Sequence, residues 1–232
     1  MTALKLNKTA FLTVVYPIDE EVLESFLCSL EDQTYKLFDV VVVNDGHATF
    51  DKVIKLHSNL NIREISGQNN FSKNREIGIN FCVDEQYDNI VFGDCDDYFQ
   101  NNRVEVLLQY IGDFDVVVND LDLFNKDGPI LSKYISTRLS NGDNIYYEFI
   151  VDKNIFGFSN TALSLSDFSK IEIPAEAFPP DWYFFKRLLK DGKKAVFTNL
   201  TTTFYRQHDN NLLGLNHNGD KYLLWLEEDD EN

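Results

Sequence analysis

A chain of 232 residues and 26.9 kDa, 44% of them hydrophobic, can bury a full core and fits one α/β domain or two small ones. Its formal net charge of −17 argues against non-specific binding to nucleic acid or anionic lipid, because both need basic patches. No apolar run is long enough to span a bilayer and the opening MTALKLNKTAF lacks a signal-peptide core, so the expectation is a soluble, cytoplasmic protein.

Ala10 to Tyr16 is an apolar, β-branched strand stopped by Pro17. Asp19 then caps a helix in which Val22, Leu23, Phe26, Leu27 and Leu30 recur at helical spacing. Phe38 to Val43 is apolar throughout, as expected of a parallel strand covered on both faces, and ends in the turn Asn44-Asp45-Gly46. A loose helix over Thr49 to His57, a short strand near Asn61 to Ile65 and a polar loop lead to a helix over Ser72 to Cys82. A strand at Ile90 to Phe92, a helix around Arg103 to Ile111 and a strand at Phe114 to Val118 follow. Such β-α repetition predicts a twisted, mostly parallel sheet with helices on both faces.

The second half is less regular. Asp122 to Tyr134 reads as a hairpin turning at Asp127-Gly128, Tyr146 to Ile150 as a short helix, and Phe156 to Leu165 as a strand lining a pocket. Pro179-Pro180 introduces a helix over Asp181 to Lys190, and a strand from Lys194 to Tyr205 runs on to Arg206, Gln207 and His208. With no repeat and no Pro-, Gly- or Ser-rich linker, one domain is the simpler reading. The three cysteines, Cys28, Cys82 and Cys95, are an odd number without metal-ligand spacing, which suits reduced thiols. Apolar neighbours place Cys28 and Cys82 in the core. His47, His57 and His217 have no partner pattern and receive no role.

The chemistry concentrates where YDNIVFGDCDDYF ends in Asp94, Asp96 and Asp97. Three anions this close repel one another unless something positive sits among them. At the carboxyl end of a buried strand that points to magnesium or manganese with a phosphorylated ligand. A polar turn capping the next helix is the competing reading, since Asp serves both purposes.

The order of these segments resembles the family 2 glycosyltransferases of the GT-A fold from about Phe11 to His208. TVVYPIDEEVLESFLCSL matches the family's first strand, Pro and helix. VVVNDG matches its Asp-Asp-Gly turn with Asn44 in place of the first Asp. SKNREIG keeps Ser72, Arg75 and Gly78 but has Glu76 for Asn. Asp94-Cys95-Asp96-Asp97 matches the D-x-D-D signature, DWYFFKRLL the acidic helix start, and Arg206-Gln207-His208 a late Arg-x-His. Each motif is weak alone; their order and strand-end placement are what is specific.

The resemblance implies a GT-A type single domain. Residues of about 10–120 would hold the nucleotide sugar, about 121–210 the acceptor, and 211–232 would form a loop and acidic tail. It places Pro17 and Asp45 at the donor nucleotide, with Asp45 accepting from an imide N–H of uracil or guanine, so a UDP- or GDP-sugar is expected. Arg75 would approach the diphosphate, and Asp94 and Asp96 the ribose and metal. Asp96, Asp97 and His208 would hold Mg2+ or Mn2+, which neutralises charge on the departing diphosphate. Asp181 matches the catalytic base of an inverting transfer, its pKa raised by Trp182 and Phe178. The competing structural readings are a turn Asp for Asp45, a surface pair to Glu76 or Asp84 for Arg75, a helix cap for Asp181 and a surface histidine for His208. The acceptor would be a glycan or a lipid-linked sugar, as in polysaccharide biosynthesis, reached at the membrane's inner face through a partner. The apolar Tyr222 to Leu226 packs on the body or forms a homodimer contact. A fold that binds nucleotide sugar without turnover, credible from Asn44, Glu76 and Pro180, and a nucleotidyltransferase are the alternatives. The acidic Pro17-Ile18-Asp19-Glu20-Glu21, where a triphosphate binder carries a Gly-rich basic loop, ranks the second lower.

Overall fold

The computed structural model describes residues 7–207. Ten strands form one sheet: β1 (Thr9–Val15), β2 (Phe38–Asn44), β3 (Asn61–Ser66), β4 (Asn89–Phe92), β5 (Tyr98–Phe99), β6 (Val116–Asn125), β7 (Gly128–Leu131), β8 (Asn144–Ile145), β9 (Thr161–Ser164) and β10 (Ala195–Arg206). Six helices accompany them: α1 (Glu20–Glu31), α2 (Phe50–Ile54), α3 (Phe71–Asp84), α4 (Arg103–Tyr110), α5 (Tyr147–Ile150) and α6 (Pro180–Lys190). The sheet order is β3-β2-β1-β4-β9-β6-β10-β5, with β7 on β6 and β8 on β10.

The first four strands of that order are parallel, as their unbroken apolar runs predict. Every residue of β1 is buried, because alternate side chains feed two cores. Phe11 and Val15 pack with Leu23, Phe26 and Leu27 of α1 and Leu107 of α4. Ala10, Leu12 and Val14 pack with Ile79 of α3 and Phe185 of α6 on the opposite face. Each large apolar side chain so buried contributes about 1.5–3 kcal/mol. Rings of Phe11, Phe26 and Phe99 meet at 6.0, 5.2 and 5.9 Å between centroids, which fixes β5 against the first core. The acidic loop between Phe92 and Phe99 therefore has both ends anchored.

The second half departs from simple parallel order. β9 runs antiparallel between β4 and β6, while β6 and β10 are parallel to each other with a register shift between Thr198 and Thr202. The expected hairpin is present, but its first strand is the continuation of the preceding one, a single β6 from Val116 to Asn125 paired to β7. Only Thr161–Ser164 of the expected Phe156–Leu165 strand is extended, since Phe156 and Phe158 turn inward onto Phe185. Cys82 is buried but Cys28 is exposed, a correction: its sequence neighbours are apolar, yet its own position lies on the outer face of α1. Among the described residues no helix is long and apolar enough to cross a membrane. The Tyr222–Leu226 patch and the acidic tail lie outside the described residues.

Gly78 lets α3 lie close on β1 and β2. A Cβ there would sit 2.7 Å from Leu12 Cδ1 and 3.1 Å from Val43 Cγ2. Gly to Ala inside an exposed helix normally stabilises by about 1 kcal/mol, whereas overpacking costs about 1–3 kcal/mol. Gly78→Ala is therefore expected to lower the urea midpoint; a raised midpoint would contradict this close approach.

Candidate active site

Because β1, β2 and β4 are parallel, the residues that follow them emerge at one edge of the sheet, where open α/β sheets place ligands. Tyr16 and Pro17 follow β1, Asp45 follows β2, and Gly93 to Asp97 follow β4. They open onto a cleft of about 660 Å3, also lined by Arg75 of α3, Asp181 of α6 and Tyr205 and Arg206 of β10. Pro17, Asp45, Arg75, Asp94, Asp96 and Asp181, named from sequence, all line it. His208 lies outside the described residues.

At the β2 end, the bend is closed by Asn44, whose Oδ1 accepts from the His47 N–H at 2.8 Å, and by Gly46 at φ +94°. Asp45 is thus not needed to hold the turn. Its Oδ1 accepts from the Asn69 N–H at 2.6 Å across the cleft rim, and Ile18 and Val22 supply an apolar wall beside it.

The three acids of the β4 loop have different surroundings. Arg75, 2% exposed, pairs with Asp94 and lies 4.9 Å from the centre of the Phe158 ring. The surface pair to Glu76 or Asp84 does not form: Glu76 instead accepts from Lys73 Nζ and from the Ile173 N–H, each at 2.7 Å. Nε and Nη1 of Arg75 are buried without a hydrogen-bond partner. Burial pushes the Asp94 carboxyl up, and Arg75 opposes that shift. Asp96 accepts from the Tyr16 phenol at 3.1 Å, and burial beside Asp96 raises Tyr16, keeping it a donor.

Asp97 is a departure from the expected metal set. It is 1% exposed, does not line the cleft, and accepts from Ser159 Oγ and, at 2.7 Å, from the Arg206 N–H. Burial, then Asp96 and Asp94, push its carboxyl well up. Among the described residues the three acids do not converge as a single ligand group. The donors that remain on the cleft, Asp94 and Asp96, are hard carboxylate oxygens of the kind magnesium and manganese take, and they fit such a cation.

Sequence reasoning missed Arg103. It is fully buried, and donates to Asn119 Oδ1 at 2.8 Å and to the Phe92 and Ser159 carbonyls at 2.9 Å each. Burial lowers it to about 9, with Asp97 and Asp94 acting the other way. Its signal was present: Arg103 shares a helical face with Leu107 of α4, where an apolar residue is the default. Tyr16, Ser159, Tyr205 and Asn154 carried no such signal.

Asp181 is delivered by long-range bonds from α3. Ser72 Oγ donates to the Ala177 carbonyl at 2.8 Å and Asn80 Nδ2 to the Ile171 carbonyl at 2.9 Å, tying down the segment that leads into α6. Asp181 is in the first turn of α6, one residue past Pro180, and its carboxylate serves a first-turn backbone N–H as well as facing the cleft. Its Oδ1 accepts from the Trp182 N–H at 2.8 Å and from Asn154 Nδ2 at 3.4 Å. The carboxyl is pushed up to about 7, by burial first; the Trp182 N–H opposes this and the charge of Asp94 adds to it.

A mostly parallel sheet whose strand ends meet a helix-borne carboxylate over an acidic loop is the architecture of the GT-A nucleotide-sugar folds. The model of the family "Glycosyl transferase family 2" matches residues 12–169, more than half of the sequence, and the chain belongs to that family. Among solved structures, S. aureus TarS 1–349 in complex with UDP-GlcNAc is 18% identical with a TM-score of 0.68, over 88% of this chain and 59% of that one. GalNAc-T7 with UDP, GalNAc and Mn2+ is 12% identical with a TM-score of 0.65, over 88% of this chain and 44% of that one. The chain thus spans about 60% of TarS 1–349. A search of curated proteins finds no significant match.

The raised Asp181 carboxyl has a consequence for stability. Between the unfolded value, about 4, and about 7, the folded state holds a proton that the unfolded chain has released, so stability falls as pH rises through this window. Asp94 and Asp97 contribute with the same sign, and Asp181→Asn isolates the Asp181 share. Moving from about pH 5 to about pH 8 should lower the urea midpoint more in wild type than in Asp181→Asn. Equal shifts in the two proteins would place the Asp181 carboxyl in the ordinary range.

Proposed function

We propose that the protein is a glycosyltransferase that moves a sugar from a nucleoside diphosphate sugar to an acceptor hydroxyl with inversion at the anomeric carbon. The observation that carries this reading is the convergence of Asp45, Arg75, Asp94, Asp96 and Asp181, from four segments, on one cleft of about 660 Å3. That volume is in the range of small-molecule sites.

In this reading the base lies against Pro17, Ile18 and Val22 with Asp45 accepting its imide N–H. The diphosphate faces Arg75, whose buried, unpartnered Nε and Nη1 suit phosphate oxygens. Asp96, with Asp94, would hold Mg2+ or Mn2+, which supplies Lewis-acid neutralisation of the leaving diphosphate. Neighbours solved with UDP, UDP-GlcNAc and Mn2+ favour a UDP-sugar and manganese.

Asp181 takes the proton of the acceptor hydroxyl as its oxygen forms a bond to the anomeric carbon and the bond to the diphosphate breaks. A carboxylate pushed up to about 7 is a stronger base than an ordinary Asp and is substantially ionised near neutral pH. The acceptor-side half, about 121–210, would present a glycan or lipid-linked acceptor to it.

Two measurements test this. A thermal-shift screen of UDP- and GDP-sugars should show a rise in midpoint for one donor that depends on Mn2+ or Mg2+, and Asp96→Asn should remove the metal dependence. Release of pyrophosphate from a nucleoside triphosphate would indicate a nucleotidyltransferase instead. In a transfer assay with the matching donor, Asp181→Asn should lower kcat by about 10²–10⁴-fold with donor binding retained. Near wild-type transfer by that variant would remove Asp181 as base.

A further inference from the structure

On the face of α1 away from the cleft, three side chains of different chemistry converge. A sulfur of Cys28, a carboxylate oxygen of Glu31 and a ring nitrogen of His57 all lie within 4.8 Å of one another. Cys28 and Glu31 stand three residues apart on α1 and so share a face of the helix. His57 follows α2, its N–H bonded to the Ile54 carbonyl at 3.0 Å, in a turn that folds back against α1.

His57 is 4% exposed. Its Nδ1 lies 3.1 Å from Glu31 Oε2, while its Nε2 and the other Glu31 oxygen, Oε1, are buried with no hydrogen-bond partner. Two buried polar atoms left unsatisfied are a cost that packing alone does not explain. The charge around the group is negative: burial first, and then Glu24, Glu31 and Asp32, raise the Cys28 thiol. Lys36, the cation at this end of α1, is turned to the Glu31 backbone carbonyl and leaves the Glu31 carboxylate to the group.

We propose that Cys28, Glu31 and His57 form a binding site for a borderline-soft divalent transition-metal ion, zinc foremost, separate from the cleft. A thiolate, an imidazole and a carboxylate are the zinc donor set, whereas magnesium has no use for sulfur or imidazole. At zinc bond lengths, tetrahedral donors stand about 3.3–3.6 Å apart; His57 Nδ1 and Glu31 Oε2 already stand 3.1 Å apart, so the closing falls to the Cys28 sulfur. Water takes the fourth position. The ion crosslinks the end of α1 to the segment after α2, and the other end of α1 adjoins Ile18 and Asp19 on the cleft wall. Its part is to brace the nucleotide-binding half.

Cobalt titration of the full-length, metal-stripped protein tests this. The wild type should take up Co2+ with the near-ultraviolet charge-transfer band of a thiolate ligand and the strong visible bands of four-coordinate cobalt, and Zn2+ should displace both. Cys28→Ser should lose the charge-transfer band and the zinc-induced rise in melting midpoint. Asp96→Asn should keep both, which separates this site from the cleft. Cys28 is exposed, so its substitution leaves the fold intact, as far-ultraviolet circular dichroism would verify. Glu31→Gln, which keeps the shape of this half-buried side chain, should weaken cobalt binding independently. A wild-type spectrum without the thiolate band, or a band that survives in Cys28→Ser, would overturn the proposal.

Discussion

Mutual repulsion among the carboxylates at the end of β4 is the constraint around which the site is arranged. Asp94, Asp96 and Asp97 occupy three of four consecutive positions, and a chain with a net charge of −17 has little cationic surplus to set against them. Two buried arginines answer the problem from opposite sides. Arg75 of α3 meets Asp94 from the cleft wall. Arg103 of α4 lies beneath the loop and binds the carbonyls that precede and flank it, at Phe92 and Ser159. Burying a guanidinium is costly unless its donors are used, and Arg103 uses three bonds on backbone and amide oxygens, holding the loop in place while its charge offsets the acids.

That arrangement gives the three acids different surroundings. Asp97 is sealed under the loop by Ser159 and the Arg206 N–H, and there it connects β4 to the far strand β10. Asp94 is pinned by Arg75. Asp96 faces the cleft with the Tyr16 phenol on one oxygen. A polar network continues behind them, from Arg103 through Asn119 to Thr203 and from Asn160 to the Asn119 carbonyl, so that β6, β9 and β10 are held in fixed relation to the loop. Buried networks of this kind rigidify a site, although Arg103 Nη1 is left without a hydrogen-bond partner, and rigidity is what a positioned set of donors and acceptors requires.

The first half of the fold was legible because parallel strands buried on both faces leave unbroken apolar runs, as in Phe38 to Val43, and because each run stops where the strand does. The cleft residues were legible for the same reason: strand ends of a parallel sheet share an edge, so Pro17, Asp45 and Asp94 had to be neighbours. What lay beyond sequence was settled by partners far along the chain. Asp97 resembles Asp94 and Asp96 in every local respect, and only Ser159, 62 positions away, and Arg206, 109 away, send it inward. The division of labour between Asn44, which closes the turn, and Asp45, which faces the cleft, was likewise invisible. Cys28 was misplaced because its apolar neighbours are on other faces of α1. β9 was misjudged because Phe156 and Phe158 are apolar for the sake of Phe185, not of the sheet.

Asp181 shows how this charge balance reaches the opposite wall of the cleft. Its own hydrogen bonds come from one backbone N–H and a long amide contact, and neither carries a positive charge. Burial therefore dominates and raises it, where a paired carboxylate would have been drawn back down. The two further charges that act on it are Asp94, which raises it, and Arg75, which lowers it. Those are the two members of the ion pair on the facing wall, so any change in that pair's charge or spacing is felt at Asp181. A ligand phosphate that drew Arg75 away from Asp94 would alter both influences together, and the affinity of Asp181 for a proton would follow the occupancy of the cleft.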